Sequence, residues 1–134
     1  MKILIVDDDF SSRKILLKYL SAYGQCDVAV NGIEAVEAFK LSMNEWEAYD
    51  LICLDIMMPE MDGQEALKQI RQIEMEKGVM GLDGVKIIMT TALDDSDNIK
   101  ISFREQCEAY IVKPIIKDKL IQKLESLDLI NVNC

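Results

Sequence analysis

Three carboxylates, a hydroxyl and an ammonium stand out in this chain, each just past a short apolar run. Asp7 and Asp8 follow Ile3–Val6, Asp55 follows Leu51–Leu54, Thr91 follows the run from Val85 to Thr90, and Lys113 follows Tyr110–Val112. A carboxylate held beside a divalent cation and an ammonium can attack phosphorus and form an aspartyl phosphate. Clustered carboxylates with no His or Cys make a hard, oxygen-only site, which suits Mg2+ better than zinc. Each residue also has a bland reading. Asp55 alone reads as the cap of a loop or helix, Asp9, Ser11 and Ser12 can cap a helix after Val6, and Lys113 reads as a solvated lysine before a turn. The elements that carry these residues decide between the two readings.

Ile3–Val6 and Leu51–Leu54 are solid apolar runs, the pattern of strands covered on both faces. Cys26–Val30 alternates, which predicts a strand at a sheet edge. Val85–Thr90 and Tyr110–Val112 supply two more strands. Between them lie helical patterns: about Ser11–Tyr23, with Ile15, Leu16, Tyr19, Leu20 and Tyr23 inward; a helix after Asn31-Gly32 with Ala35, Val36 and Phe39 inward; and about Gly63–Lys77 with Leu67 and Ile70 inward. A weaker helix starts at the acidic group Asp94, Asp95, Ser96 and Asp97 and runs to about Gln106. The last spans about Lys117–Leu127, with Leu120, Ile121, Leu124 and Leu127 inward. Gly78–Gly84 reads as a long loop. Trp46, in the loop Asn44–Tyr49, reads as a packing residue. Five strand–helix alternations predict a doubly wound, five-stranded parallel α/β sheet. Crossovers of one hand put the ends of parallel strands on one edge, so Asp7, Asp8, Asp55, Thr91 and Lys113 are expected to meet there.

The totals agree with such a domain. The chain has 134 residues, half of them hydrophobic, enough for one core. Its net charge of −9, from 24 acidic and 15 basic residues, argues against direct nucleic-acid binding. With no histidine, Ser-His-Asp and Cys-His catalysis and His-ligated zinc are excluded. The four cysteines, Cys26, Cys53, Cys107 and Cys134, form no C-x-x-C pair and read as reduced thiols of a cytoplasmic protein. No run approaches the roughly 18 apolar residues of a membrane span.

The motifs V-D-D near the start, L-D-I-M-M-P-x-M-D-G at 54–63, T-A at 91–92 and Y-I-V-K-P near the end resemble the receiver domain of two-component response regulators. They occur in that family's order, and Asn31-Gly32 followed by Glu34-Ala35 fits as well. The resemblance covers residues 1–128 and leaves 129–134 as a short tail with no output domain. It implies a flavodoxin-like (βα)5 fold with strand order 2-1-3-4-5. It implies Asp55 as phosphoacceptor, with Asp8 and Asp55 touching Mg2+, Asp7 acting through water and the Met57 carbonyl as a further ligand. Thr91 and Tyr110 resemble the switch pair and Lys113 the phosphate-binding lysine, which also lowers the Asp55 pKa; the Lys113–Pro114 bond is commonly cis in the family. The implied partners are a sensor histidine kinase or phosphotransfer protein and a downstream protein effector. That effector would read a surface made by the fourth helix, fifth strand and fifth helix of a monomer or weak dimer. Such a chain catalyses only its own phosphorylation and dephosphorylation.

One rival class is a phosphatase of the haloacid dehalogenase type, which also uses Asp, Mg2+, Thr and Lys. It needs a second Asp two residues past the nucleophile, where this chain has Met57. A receiver-like module that is never phosphorylated is the other, and the intact set of motifs argues against it. A calcium loop is disfavoured because no D-x-D-x-D-G pattern is present. The positions that flank the attacking water in the family are here Met57 and Leu93, both apolar, so self-dephosphorylation is expected to be slow. Placing Asn at position 57 or Glu at position 93 should shorten the life of the phosphorylated form in a decay assay. A lifetime equal to that of the unaltered chain would sink this reading.

Overall fold

The computed structural model describes residues 1–79, 83–92, 100–103 and 106–131. Five parallel strands form one sheet in the order β2-β1-β3-β4-β5. They are β1 (Lys2–Val6), β2 (Gln25–Ala29), β3 (Leu51–Asp55), β4 (Lys86–Thr91) and β5 (Ala109–Val112). The helices are α1 (Phe10–Leu20), α2 (Gly32–Asn44), α3 (Gly63–Glu76), the helical residues 100–103, here α4, and α5 (Lys117–Ser126). This is the doubly wound α/β fold that the alternation predicts. Among the described residues no helix is long and apolar enough to cross a membrane.

The solid apolar runs have a direct cause. β3 is the middle strand and all five of its residues are buried. Its side chains alternate between two cores. Ile52 and Leu54 join Leu4, Val6, Ile87 and Met89 under α2 and α3, against Phe39, Leu67 and Ile70. Leu51 and Cys53 join Ile3, Ile5, Ile88 and Ile111 under α1 and α5, against Leu16, Leu20, Leu120 and Leu124. Both faces need apolar residues, so the period of two disappears from the sequence. β2 lies at an edge, as its mixed pattern predicts. Cys53 and Cys107 are buried, Cys26 is half-buried, and among the described residues all three are free thiols.

Local chemistry starts the helices where the strands stop. Asp9, Asn31 and Asp62 accept the backbone N–H of Ser12, Glu34 and Glu65, closing the N-termini of α1, α2 and α3. Glu34 returns a bond by accepting the Val30 N–H, one residue before the cap, at 3.0 Å. Gly63 opens α3 with its N–H on the Ile56 carbonyl at 2.9 Å. A Cβ there would strike the Asp55 carbonyl oxygen, so only glycine lets the chain double back against the end of β3.

Several expectations need correction. α1 ends at Leu20, because Ser21 caps it and the chain turns before Gly24, so Tyr23 lies outside the helix. Ile15 is 41% exposed, since the buried stripe of α1 is only Leu16 and Leu20. Trp46 is 96% exposed at a positive φ of 60° and packs on nothing in the core. The expected helix start at Asp94–Asp97 and the centre of the 78–84 loop lie outside the described residues. Leu129 and Ile130 are half-buried on the α1–α5 side.

One cluster is absent from the sequence reading. Arg71 of α3 uses its whole guanidinium: Nε donates to the Gln106 carbonyl, Nη1 to Glu74 and the Val85 carbonyl, and Nη2 to both oxygens of Glu108, all between 2.7 and 2.9 Å. Glu74 and Glu108 in turn accept the N–H of Val85 and Ile87. The clasp ties α3 to the start of β4 and the entry of β5. Arg71→Ala would remove the guanidinium between two carboxylates, and should lower unfolding free energy in urea by about 3 kcal/mol. Adding Glu108→Gln should recover part of the loss; a variant as stable as the parent would overturn this assignment.

Candidate functional site

The carboxyl edge of the sheet gathers the acidic residues. β1 delivers Asp7, which is fully buried and donates its N–H to the Ala29 carbonyl at 3.1 Å. Its Oδ1 accepts the Asp9 N–H at 2.9 Å, and its carbonyl accepts Arg13 Nη1 at 2.8 Å. β3 delivers Asp55, 4% exposed, whose carboxyl also accepts the Met57 N–H. Asp8, next to Asp7, is exposed, and one oxygen from each of the three carboxylates lies within 4.8 Å of the others. β5 runs into Lys113, whose Nζ lies 2.8 Å from Asp7 Oδ2 and 3.5 Å from Asp55 Oδ2. The Lys113–Pro114 bond is cis.

Lys113 is thus closer to Asp7 than to the expected nucleophile. The electrostatics follow. Burial, then the charge of Asp7, push the Asp55 carboxyl up to about 6, and Lys113 and the Met57 N–H only partly offset them. Lys113 lowers the Asp55 pKa as expected, but burial and Asp7 outweigh it, so it does not by itself keep Asp55 ionised. Burial pulls the Lys113 ammonium down. Its bond to Asp7 and the charges of Asp55 and Asp7 more than reverse that, so its pKa lies above the ordinary lysine value. On the rim, the hydrogen bonds from Ser12 hold Asp9 below the usual carboxylate range.

The remaining candidates lie close by but differ in orientation. Thr91 closes β4, is buried, and accepts the Lys113 N–H on its carbonyl at 2.7 Å. Alternation puts Thr91 on the face of Ile87 and Met89, where Tyr110 also packs, and Asp55 on the face of Cys53. Tyr110 is half-buried and meets Phe103 edge-on at 5.9 Å. Met57 is 64% exposed beside Asp55. Leu93 lies outside the described residues. Two neighbours of the site escaped the sequence reading. Arg13 is one, one helical turn into α1. Thr90, which pairs in register with Asp55, is the other; a second hydroxyl at the end of an apolar strand was its one visible signal.

The donor set fits Mg2+. It is all oxygen, it concentrates three carboxylates against one ammonium, and the repulsion that raises the Asp55 pKa is the kind a divalent cation relieves.

Fold and pocket together define a class: a doubly wound α/β domain with an acidic pocket and one lysine at the carboxyl edge of its sheet. The chain belongs to the response regulator receiver domain family, whose model matches residues 3–125. It is 30% identical over 128 residues to the chemotaxis protein CheY of Treponema pallidum, covering 94% of this chain and 81% of that protein. It is 37% identical over 127 residues to the transcriptional regulatory protein ResD of Bacillus subtilis, covering 94% of this chain but only 47% of ResD. A solved CheX-CheY-BeF3-Mg2+ complex from Borrelia burgdorferi superimposes with a TM-score of 0.81 at 28% identity, over 98% of this chain and 90% of that one. The family is one of signalling phosphoacceptors in two-component systems rather than of conventional enzymes.

With divalent cations chelated, folded Asp55 holds its proton to about pH 6, while in the unfolded chain it titrates near 3.8. The folded state then binds more protons between those values, so stability should fall as pH rises through that window. Asp55→Asn should flatten the slope and add on the order of 2 kcal/mol at neutral pH, read as a raised Tm in EDTA. A lowered Tm would show that the buried charge is not the liability described.

Proposed function

We propose that this chain works as a phosphoacceptor receiver. It accepts a phosphoryl group on Asp55 from a sensor histidine kinase or phosphotransfer protein in the cytoplasm. The observation that carries the reading is the meeting of Asp7, Asp8 and Asp55 within 4.8 Å, with Lys113 at 2.8 and 3.5 Å from two of them. Asp8, Asp55 and the Met57 carbonyl would hold Mg2+, with Asp7 acting through water. When bound, the ion supplies positive charge against the equatorial oxygens of the transferring group.

The chain's own residues account for the rest. An ionised Asp55 oxygen forms the bond to phosphorus while the bond from phosphorus to the donor breaks, its electron pair leaving with the donor. Lys113, a mobile point charge shared by Asp7 and Asp55, turns to the phosphoryl oxygens as they arrive. Thr91 donates to a phosphoryl oxygen, and Tyr110 follows it inward. That movement shifts a pre-existing equilibrium of the α4-β5-α5 face, which a protein effector reads on a monomer or weak dimer. Beyond its own phosphorylation and dephosphorylation the chain catalyses nothing.

Acetyl phosphate with Mg2+ should add one phosphoryl group to the parent chain by intact mass, and none to Asp55→Ala. An unmodified parent, or an equal adduct on the variant, would overturn the assignment.

A further inference from the structure

Thr90 is the neighbour of Asp55 that nothing above uses. It is 1% exposed, and its Oγ1 has no hydrogen-bond partner, alone in this among the buried side-chain atoms of the described residues. A buried hydroxyl without a partner is costly, and valine would fill the same space at no such cost. Its position is specific. Thr90 is the register partner of Asp55 across β3 and β4, and its carbonyl accepts the Ile56 N–H at 3.0 Å. Cys53 and Ile88 face the α1–α5 core, so Asp55 and Thr90, two residues further along each strand, share that face. Asp7 and Lys113 follow Ile5 and Ile111 onto it in the same way. Neighbouring strands run about 5 Å apart, so the hydroxyl lies within a side-chain rotation of the Asp55 carboxyl.

We infer that Thr90 is a further residue of the phosphoacceptor site, donating a hydrogen bond to the Asp55 carboxyl oxygen that does not carry phosphorus. The inference rests on the reading of Asp55 as phosphoacceptor. In the free protein, Lys113 and the Met57 N–H serve the Asp55 carboxylate. On transfer, one carboxylate oxygen bonds to phosphorus, and the bond from phosphorus to the leaving group breaks with its electron pair. The other oxygen becomes the carbonyl of the acyl phosphate. Lys113 is then drawn to the phosphoryl charge, and the acyl oxygen, one lone pair of which Mg2+ would take, can accept the Thr90 hydroxyl on the other. A bond missing before transfer and made after it favours the phosphorylated form.

The test compares Thr90→Val, which keeps the shape and removes the hydroxyl, with Thr90→Ser, which keeps the hydroxyl. With limiting acetyl phosphate and Mg2+, the phosphorylated fraction by intact mass and its decay after donor removal are read alongside Tm. Thr90→Val should melt at or above the parent temperature, yet hold at least about threefold less phosphoryl group at steady state. Thr90→Ser should stay within about twofold of the parent. A Thr90→Val variant with the parent's phosphorylated fraction and lifetime, or a Thr90→Ser variant as impaired as Thr90→Val, would overturn the inference alone. A parent chain that takes no phosphoryl group would overturn the reading beneath it as well.

Discussion

Like charges held together out of water are the constraint on which this structure turns. Asp7 has no exposure, Asp55 almost none, and Asp8 stands beside them at the surface. A single ammonium, Lys113, bridges the two buried carboxylates and leaves Asp55 with a pKa near 6. A pocket this short of positive charge has free energy to gain from any ligand set that supplies it. The same charge imbalance makes the pocket fit for a divalent cation.

Such crowding needs a scaffold that does not relax. The carboxylates sit at the ends of β1 and β3, enclosed strands whose side chains fill both cores. Aspartate and asparagine caps start α1, α2 and α3, and Gly63 lets α3 begin directly against the end of β3. At the far edge, the Arg71 clasp fixes where β4 starts and where β5 is entered. The pocket is thus held from both ends of the same strands.

Much of this was legible in the residues. The runs Ile3–Val6 and Leu51–Leu54 announce enclosed strands because a strand covered twice has no polar face to alternate with, and the residues just beyond them announce the site. The same absence of alternation hid which face each residue takes, so Thr90 read as one more strand position beside Thr91. Arg71 was invisible for another reason: its carboxylate partner Glu108 lies 37 positions away, and only the folded chain joins them. Trp46 misled because a large apolar side chain is usually buried, whereas a left-handed turn carries this one into solvent. Ile15 misled because α1 buries a stripe only one side chain wide.

The thiols of the two cores have a consequence of their own. Burial raises Cys53 to about 12 and Cys107 to about 11, so the nucleophilic thiolate is almost unpopulated at neutral pH. Electrophiles and peroxides meet these sulfurs only when the domain opens, which makes the pair an intrinsic clock for unfolding and leaves the folded signalling module indifferent to oxidants at those positions.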